Sequence, residues 1–369
     1  MSRNLPPITA IAAIAIAIAA AAGAQQGNSS AAAPAASANS EWRAPGTPGS
    51  PIDGELFHAQ VLMSAHGFSP GVIDGKEGQS FKLALGSFQE ARGLERSGKL
   101  DAETRRALAE ANRPSTVMVR LGPDDVNSTY VFPFPAKPEA QAELGFLGYR
   151  NMLEKVAERY HTTPDTIVAL NGPDKLIGAG QILRLPNVVP VSRDYAGSPD
   201  KGGKMMQLLN VDGRQPRGDY IVVDKSEGVL KVFRGAAPAE GGDGEDADGE
   251  DAAGQLVAAF PVTMGSTEYP LPIGRWKATT YAFLPPFHYQ PELLVNAKSD
   301  KELRLPAGPN GPVGVAWLDL TKEHYGIHGT NEPQTIGRAE SSGCIRMTNW
   351  DVIRLSRMLK PGFTAIFQA

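Results

Sequence analysis

The chain has 369 residues, with 36 Lys and Arg against 40 Asp and Glu and a formal net charge of -4. That balance lacks the basic face that nucleic acid requires and excludes it as an expected partner; a single cysteine excludes an internal disulfide. The length exceeds one domain of about 100–200 residues, and 40 glycines with 30 prolines imply many turns, so two or three domains are expected.

Arg3 precedes an apolar run from Ile8 to Ala22, and Ala22-Gly23-Ala24 has the small-x-small pattern of a cleavage site. Residues 1–24 therefore read as a signal peptide, with an uncleaved anchor as the alternative; the run falls short of the roughly 20 strongly apolar residues of a confident span. Export implies a periplasmic or cell-wall location. Residues 25–50 are Ala, Ser, Pro and Gly with few large apolar side chains, which reads as a flexible linker.

Residues 51–114 read as a small three-helix domain. Leu56, Ala59, Gln60 and Met63 recur at helical spacing until Gly67–Gly71 stop the run. Ser80 is expected to cap a second helix with the stripe Phe81, Ala84, Leu85 and Phe88, ended by Gly93, and Asp101 a third containing Leu108. The glycines and aromatics account singly for helix stops and core. Their order, from His66-Gly67-Phe68 and Gly71-Val72-Ile73-Asp74-Gly75 through Phe88-Gln89 to Leu100-Asp101 and Thr104, resembles the peptidoglycan-binding-like module of wall enzymes.

Residues 117–190 open with a strand candidate at Val117–Leu121 and a proline-rich stretch to Pro138. Leu153, Val156, Ala157 and Tyr160 form one helical face, Thr163-Pro164 starts another helix that Asn171-Gly172 ends, and Gln181–Leu185 reads as a strand. Ala157-Glu158-Arg159-Tyr160, Leu170-Asn171 and Gly180–Pro186 resemble the LysM module. That resemblance implies binding of N-acetylglucosamine-containing glycan; a purely structural spacer on the same frame is the alternative.

Residues 204–369 show strand chemistry. Tyr220–Asp224 and Val229–Arg234 predict a hairpin, with further strands at Leu256–Val262, Arg275–Tyr281, Gly314–Leu320 and Tyr325–His328. Asn349 is expected to cap a helix through Leu359 before a last strand at Thr364–Phe367. The acidic stretch 240–254 reads as a disordered insertion, and Asp246, Asp248 and Glu250 lack the full spacing of a calcium loop. The whole is thus a multidomain α+β chain: a helical module, an α/β module and a mainly-β C-terminal domain.

The chemistry centres on Cys344 in Ser341-Ser342-Gly343-Cys344-Ile345-Arg346 and on His328 in Tyr325-Gly326-Ile327-His328-Gly329-Thr330. Amide attack by sulfur needs a proton acceptor and donors that hold the oxyanion. His328 is the base candidate, and Gly343 leaves its backbone N–H and that of Cys344 open to a tetrahedral oxygen. Arg346 faces the same side as Cys344 if the segment is extended, where its charge either lowers the thiol pKa or anchors a substrate carboxylate. Taken singly, Cys344 reads as a small buried hydrophobe, His328 as a core residue and Arg346 as an ion-pair partner. Zinc is the competing constellation, through His324, His328 and Cys344. On one strand the two rings lie about 13 Å apart, so no metal and no other cofactor is expected.

Ile327–Thr330, Ile336-Gly337, Ser341–Arg346 and Asn349, preceded by Met264-Gly265, Pro270–Gly274 and Gly308–Gly314, resemble the L,D-transpeptidase (YkuD-like) catalytic domain. The resemblance implies a mainly-β fold and peptidoglycan cross-linking through a cysteinyl thioester, with Cys344 as nucleophile and His328 as base. The Gly329 main-chain carbonyl would orient the imidazole, and Gly343 would supply the oxyanion N–H. Ser341 and Ser342 would line the acceptor side, where many members carry histidine in place of Ser342; Tyr325, Met264 and Arg346 complete the expected substrate contacts. Stem peptides and glycan are the implied partners, and carbapenems the implied inhibitors. The segment Phe283–Gly311 is expected to cap the groove. Water as acceptor would make an L,D-carboxypeptidase, and a protein lysine would make an envelope-protein attachment enzyme. A non-catalytic wall-binding protein is the alternative of another class.

Overall fold

The computed structural model describes residues 50–198, 201–239, 254–266, 269–294, 297–338 and 343–369. The expected signal peptide, almost all of the linker, the acidic insertion apart from Gly254, and Ser341 and Ser342 lie outside the described residues.

Asp53 starts α1 (Gly54–His66) by accepting from the backbone N–H groups of Glu55 and Leu56, and Gly67 ends it in the left-handed conformation. Helix α2 (Gln79–Ala91) follows, and Asp101 caps α3 (Ala102–Ala109) through the Thr104 N–H. Ser80 is not the cap expected of it. It is the second residue of α2, and its hydroxyl donates to the Ile336 carbonyl at 3.1 Å, tying the helix to the C-terminal domain. Leu62, Met63, Phe81, Leu85, Phe88 and Leu108 close a core that Val229 and Ala259 of the C-terminal sheet complete.

The middle module pairs β1 (Thr116–Arg120) antiparallel with β2 (Ile182–Pro186). Two short helices missed in the sequence, α4 (Pro123–Val126) and α5 (Pro138–Ala142), precede α6 (Met152–Arg159) and α7 (Pro164–Asn171). The expected strand–helix–helix–strand order is present, with residues 121–150 inserted into it. Helix α6 buries three ionisable side chains. Lys155 donates to the Asp124 and Asn127 carbonyls, Arg159 pairs with Asp125 at 2.7 Å and reaches the carbonyls of Gln207 and Leu208, and Glu158 points into the C-terminal domain. Charges are buried only where they find partners, so the polar face of α6 is fitted to its neighbours.

Helix α8 (Gly202–Leu208) leads into the C-terminal domain, whose strands are β3 (Tyr220–Asp224), β4 (Val229–Arg234), β5 (Gln255–Pro261), β6 (Thr263–Met264) and β7 (Gly274–Phe283). A hairpin of β8 (Phe287–Tyr289) and β9 (Leu303–Leu305) stands apart, and β10 (Ala316–Leu320), β11 (Gly326–His328), β12 (Ile345–Arg346), α9 (Asn349–Met358) and β13 (Thr364–Gln368) complete the chain. The nine-stranded sheet runs β5-β4-β3-β13-β7-β10-β11-β12-β6. The β13–β3 and β11–β12 pairs are parallel and the rest antiparallel. Trp350, Val352, Ile353 and Leu355 of α9 pack on its apolar face. Thr348, not Asn349, caps α9 by accepting from the Asp351 N–H, which leaves the Asn349 side chain for other work. Among the described residues no helix is long and apolar enough to cross a membrane.

Candidate active site

The parallel register places Ile327 beside Ile345 and His328 beside Arg346. Side chains alternate along a strand, so His328, Arg346 and the preceding Cys344 share one face of the sheet. All three line a cavity of about 390 Å³, whose walls also include Phe287, Tyr289 and Leu294 of the hairpin segment. The expected cap is therefore a structured hairpin rather than an irregular loop.

Nδ1 of His328 lies 2.7 Å from the Gly329 carbonyl oxygen. A carbonyl only accepts, so Nδ1 carries the proton and Nε2 is left with its lone pair. The imidazole stacks on Trp317, with centroids 5.4 Å apart and planes 17° apart, and is buried. Burial, followed by the charge of Arg346, lowers its pKa to about 3 against the pull of the Gly329 bond.

Burial raises the Cys344 thiol to about 11, while a bond from the Gly326 backbone and the Arg346 charge act in the opposite sense. Arg346 thus stabilises the thiolate as expected, but desolvation outweighs it. In the resting site the proton stays on sulfur, and the thiol donates to the His324 carbonyl at 3.6 Å. Arg346 makes no hydrogen bond or ion pair to a side chain among the described residues, and its buried Nε has no partner there. Its guanidinium is available to a carboxylate in the cavity.

Gly343 has φ +94, and a Cβ there would stand 2.7 Å from Cε1 of Tyr325. Tyr325 packs against Gly343, next to Cys344, and does not line this cavity. Met264 pairs with Ile345, on the sheet face opposite Cys344, and lines a separate cavity with Thr263 and Gly337. His324 sits in a turn at φ +65, not on a strand, so its ring borders the same cavity as His328 and the 13 Å separation expected from strand geometry does not apply. No group of three or more metal-ligating side chains occurs among the described residues.

Two residues of the site were given no role there by the sequence: Trp317 carried no signal, and Asn349 was read only as a helix cap and as part of the family motif. Trp317 alternates with Leu318 on β10 and pairs directly with His328; Gly326 is vacant of a side chain because a Cβ would stand 2.4 Å from the Trp317 ring. Asn349 donates to Glu158 at 2.7 Å and to the Pro309 carbonyl at 3.3 Å, and accepts from the Val315 N–H at 3.0 Å.

These features define a multidomain α+β chain with a thiol–imidazole site in a cleft of its mainly-β domain. Residues 218–367 match the YkuD family model, described as the L,D-transpeptidase catalytic domain, and residues 54–108 match the model described as "Putative peptidoglycan binding domain". The C-terminal domain is thus similar to the YkuD family of L,D-transpeptidases, and the helical domain that precedes it is similar to the peptidoglycan-binding family. The chain is 59% identical over 54 residues to "Putative L,D-transpeptidase YkuD" of Bacillus subtilis, a match spanning 15% of this chain and 33% of that protein. It is 29% identical over 152 residues to "Putative L,D-transpeptidase YqjB" of the same organism, 40% of this chain and 69% of that one. The match thus spans one third of the first of these relatives. A solved L,D-transpeptidase 3 from Mycobacterium tuberculosis, in complex with a faropenem-derived adduct, is 17% identical, with a TM-score of 0.29 over 41% of this chain and 60% of that chain.

Proposed function

We propose that the chain is a peptidoglycan L,D-transpeptidase that works through a thioester on Cys344. The observation that carries this reading is the Gly329–His328 bond, which leaves Nε2 as a proton acceptor in the cavity that also holds the thiol.

Sulfur attacks the carbonyl of the third residue of a tetrapeptide stem while His328 Nε2 takes the thiol proton. The S–C bond forms, the C–N bond to the terminal D-alanine breaks, and His328 returns the proton to the departing amine. The side-chain amine of a second stem then attacks the thioester, His328 takes its proton, and the C–S bond breaks with sulfur reprotonated. The N–H groups of Gly343 and Cys344 hold the oxyanion, Ser341 and Ser342, which lie outside the described residues, would serve the acceptor side, and Arg346 takes a stem carboxylate. Bond energy passes through the thioester, so the scheme uses no cofactor. The helical and LysM-like modules would bring the enzyme to wall glycan, and the location would be the periplasm or cell wall.

The test is the muropeptide product of purified enzyme on tetrapeptide-bearing peptidoglycan. A cross-linked product with D-alanine release, lost in Cys344→Ala, is expected. A tripeptide product alone would assign the carboxypeptidase reaction, and a stem joined to a protein lysine would assign envelope-protein attachment. An identical pattern from wild type and Cys344→Ala would leave only wall binding. A carbapenem, whose strained amide acylates thiols, should add its mass to wild type and not to Cys344→Ala.

A further inference from the structure

Behind His328 the site is held by a residue of another module. A Cβ on Gly329 would stand 2.0 Å from Asn349 Oδ1, and a Cβ on Gly314 would stand 2.0 Å from the same atom. The Asn349 carboxamide therefore occupies the notch that these two glycines leave, in van der Waals contact with the peptide whose carbonyl fixes the imidazole.

Its orientation is set by three bonds. Oδ1 accepts from Val315, and Nδ2 donates to the Pro309 carbonyl and to Oε1 of Glu158. Of these partners only Glu158 is a side chain, and it comes from α6 of the middle module. Its other oxygen accepts from the Tyr149 hydroxyl of the insertion, and Glu154 and Arg159 are the charged groups nearest this pair. Glu158 and Asn349 are both buried, so water does not replace either partner.

We propose that Glu158 is a positioning residue for the acyl-transfer centre: through Asn349 it fixes the Gly329 peptide and thereby the tautomer and direction of His328. The middle module is then a built part of the active site and not only a wall-binding attachment. A misdirected imidazole loses proton transfer while leaving the cavity able to bind. The proposal rests on the transpeptidase reading for its kinetic consequence, but its structural consequence is independent of that reading.

The experiment is imidazole nitrogen NMR of the full chain, with the His328 signal assigned by its loss in His328→Gln, alongside tetrapeptide turnover. Wild type should show His328 protonated at Nδ1. Glu158→Gln keeps an acceptor for Asn349 and should retain the wild-type tautomer and turnover within about twofold. Glu158→Leu should mix the tautomers and lower kcat about tenfold or more, with KM within about twofold. If Glu158→Leu does not fold, Tyr149→Phe, which strips the carboxylate of its hydroxyl donor, should give a smaller change of the same kind. A folded Glu158→Leu, or in its place Tyr149→Phe, with the wild-type His328 signals overturns the proposal. Altered His328 signals in a chain whose wild type leaves tetrapeptide untouched would uphold it and overturn the transpeptidase reading instead.

Discussion

The hydroxyl of Ser69, in the N-terminal helical module, donates to Oδ2 of Asp351 in the C-terminal helix at 2.7 Å, and both side chains are buried. Asp351 also faces the buried Arg354 at 3.4 Å, and Arg354 reaches back to the Ser64 carbonyl. The helical module and the catalytic domain thus share one buried polar network. Removing a partner from a buried pair leaves an uncompensated charge, so Asp351→Ala should cost about 3–5 kcal/mol. Thermal unfolding should then show the two modules melting together at lower temperature. A catalytic-domain transition that stays at the wild-type temperature would show that the network does not join them.

Gly343 combines a left-handed backbone with contact against Tyr325. Gly343→Ala adds about 1–2 kcal/mol of backbone strain and a clash with the ring, and it moves the peptide proposed to hold the oxyanion. Turnover should fall about a hundredfold with the fold intact by circular dichroism. Tyr325→Ala in the same chain should relieve the clash and recover only part of the loss, because the backbone strain remains. Wild-type turnover in Gly343→Ala would remove this loop from the mechanism.

His328, Gly329, Cys344 and Arg346 were legible in the sequence because their geometry is local. Two short strands in parallel register place His328, Arg346 and Cys344 on one face, and the Gly329 carbonyl follows the imidazole directly in the chain. Nine of the described strands were legible within one or two residues at their ends, whereas the short strands β6, β8, β9 and β12 were not. Nor was burial. Of the two roles open to Arg346, lowering the thiol pKa is outweighed by desolvation, and how deeply a strand end sits is a property of the packed chain. Glu158 read as part of a glycan module because its sequence neighbours are those of such a module; its partner Asn349 is 191 positions away. Asn349 read as a helix cap and as one residue of the family motif, with no partner assigned to its side chain. Local pattern shows which residues belong to a strand or helix, and only tertiary contact assigns a buried polar side chain its partner.

The cap over the cavity is held from behind. Leu147 of the middle-module insertion is buried with Tyr289 and Leu305 of the hairpin; its N–H donates to Ala307 and its carbonyl accepts from Asn310. Asn310 also donates to the Gly148 carbonyl at 3.0 Å. Leu147→Ala should cost about 2–5 kcal/mol at this contact and loosen the hairpin before the sheet. Proteolysis within residues 285–305 should accelerate at temperatures where the wild type resists. Under the proposed mechanism the ratio of hydrolysed to cross-linked product should rise, because a loosened cap admits water to the thioester. An unchanged ratio with faster proteolysis would show that the cap does not control the acceptor.

Acid stability provides a separate reading of the buried imidazoles. His161, stacked on Trp350 and bonded to the Leu209 carbonyl, and His328 both have pKa values lowered by burial from 6.5 to about 3. The unfolded chain binds protons at these sites below pH 6.5 and the native chain does not, so stability present above that pH is lost as pH falls toward 3. Glu158 acts in the opposite sense: burial raises it from 4.5 to about 7, the native state takes up its proton first, and stability grows as pH falls from 7 to 4.5. Urea midpoints should therefore change little between pH 7 and 5.5 and drop steeply from 4.5 to 3. His328→Asn, which keeps a donor for Gly329, removes one of the two protons and should reduce that steep slope by about 1.4 kcal/mol per pH unit. Because the two proteins share every other titrating group, the difference between their slopes isolates His328. Parallel acid profiles would mean that its imidazole protonates in the native state as readily as in the unfolded one.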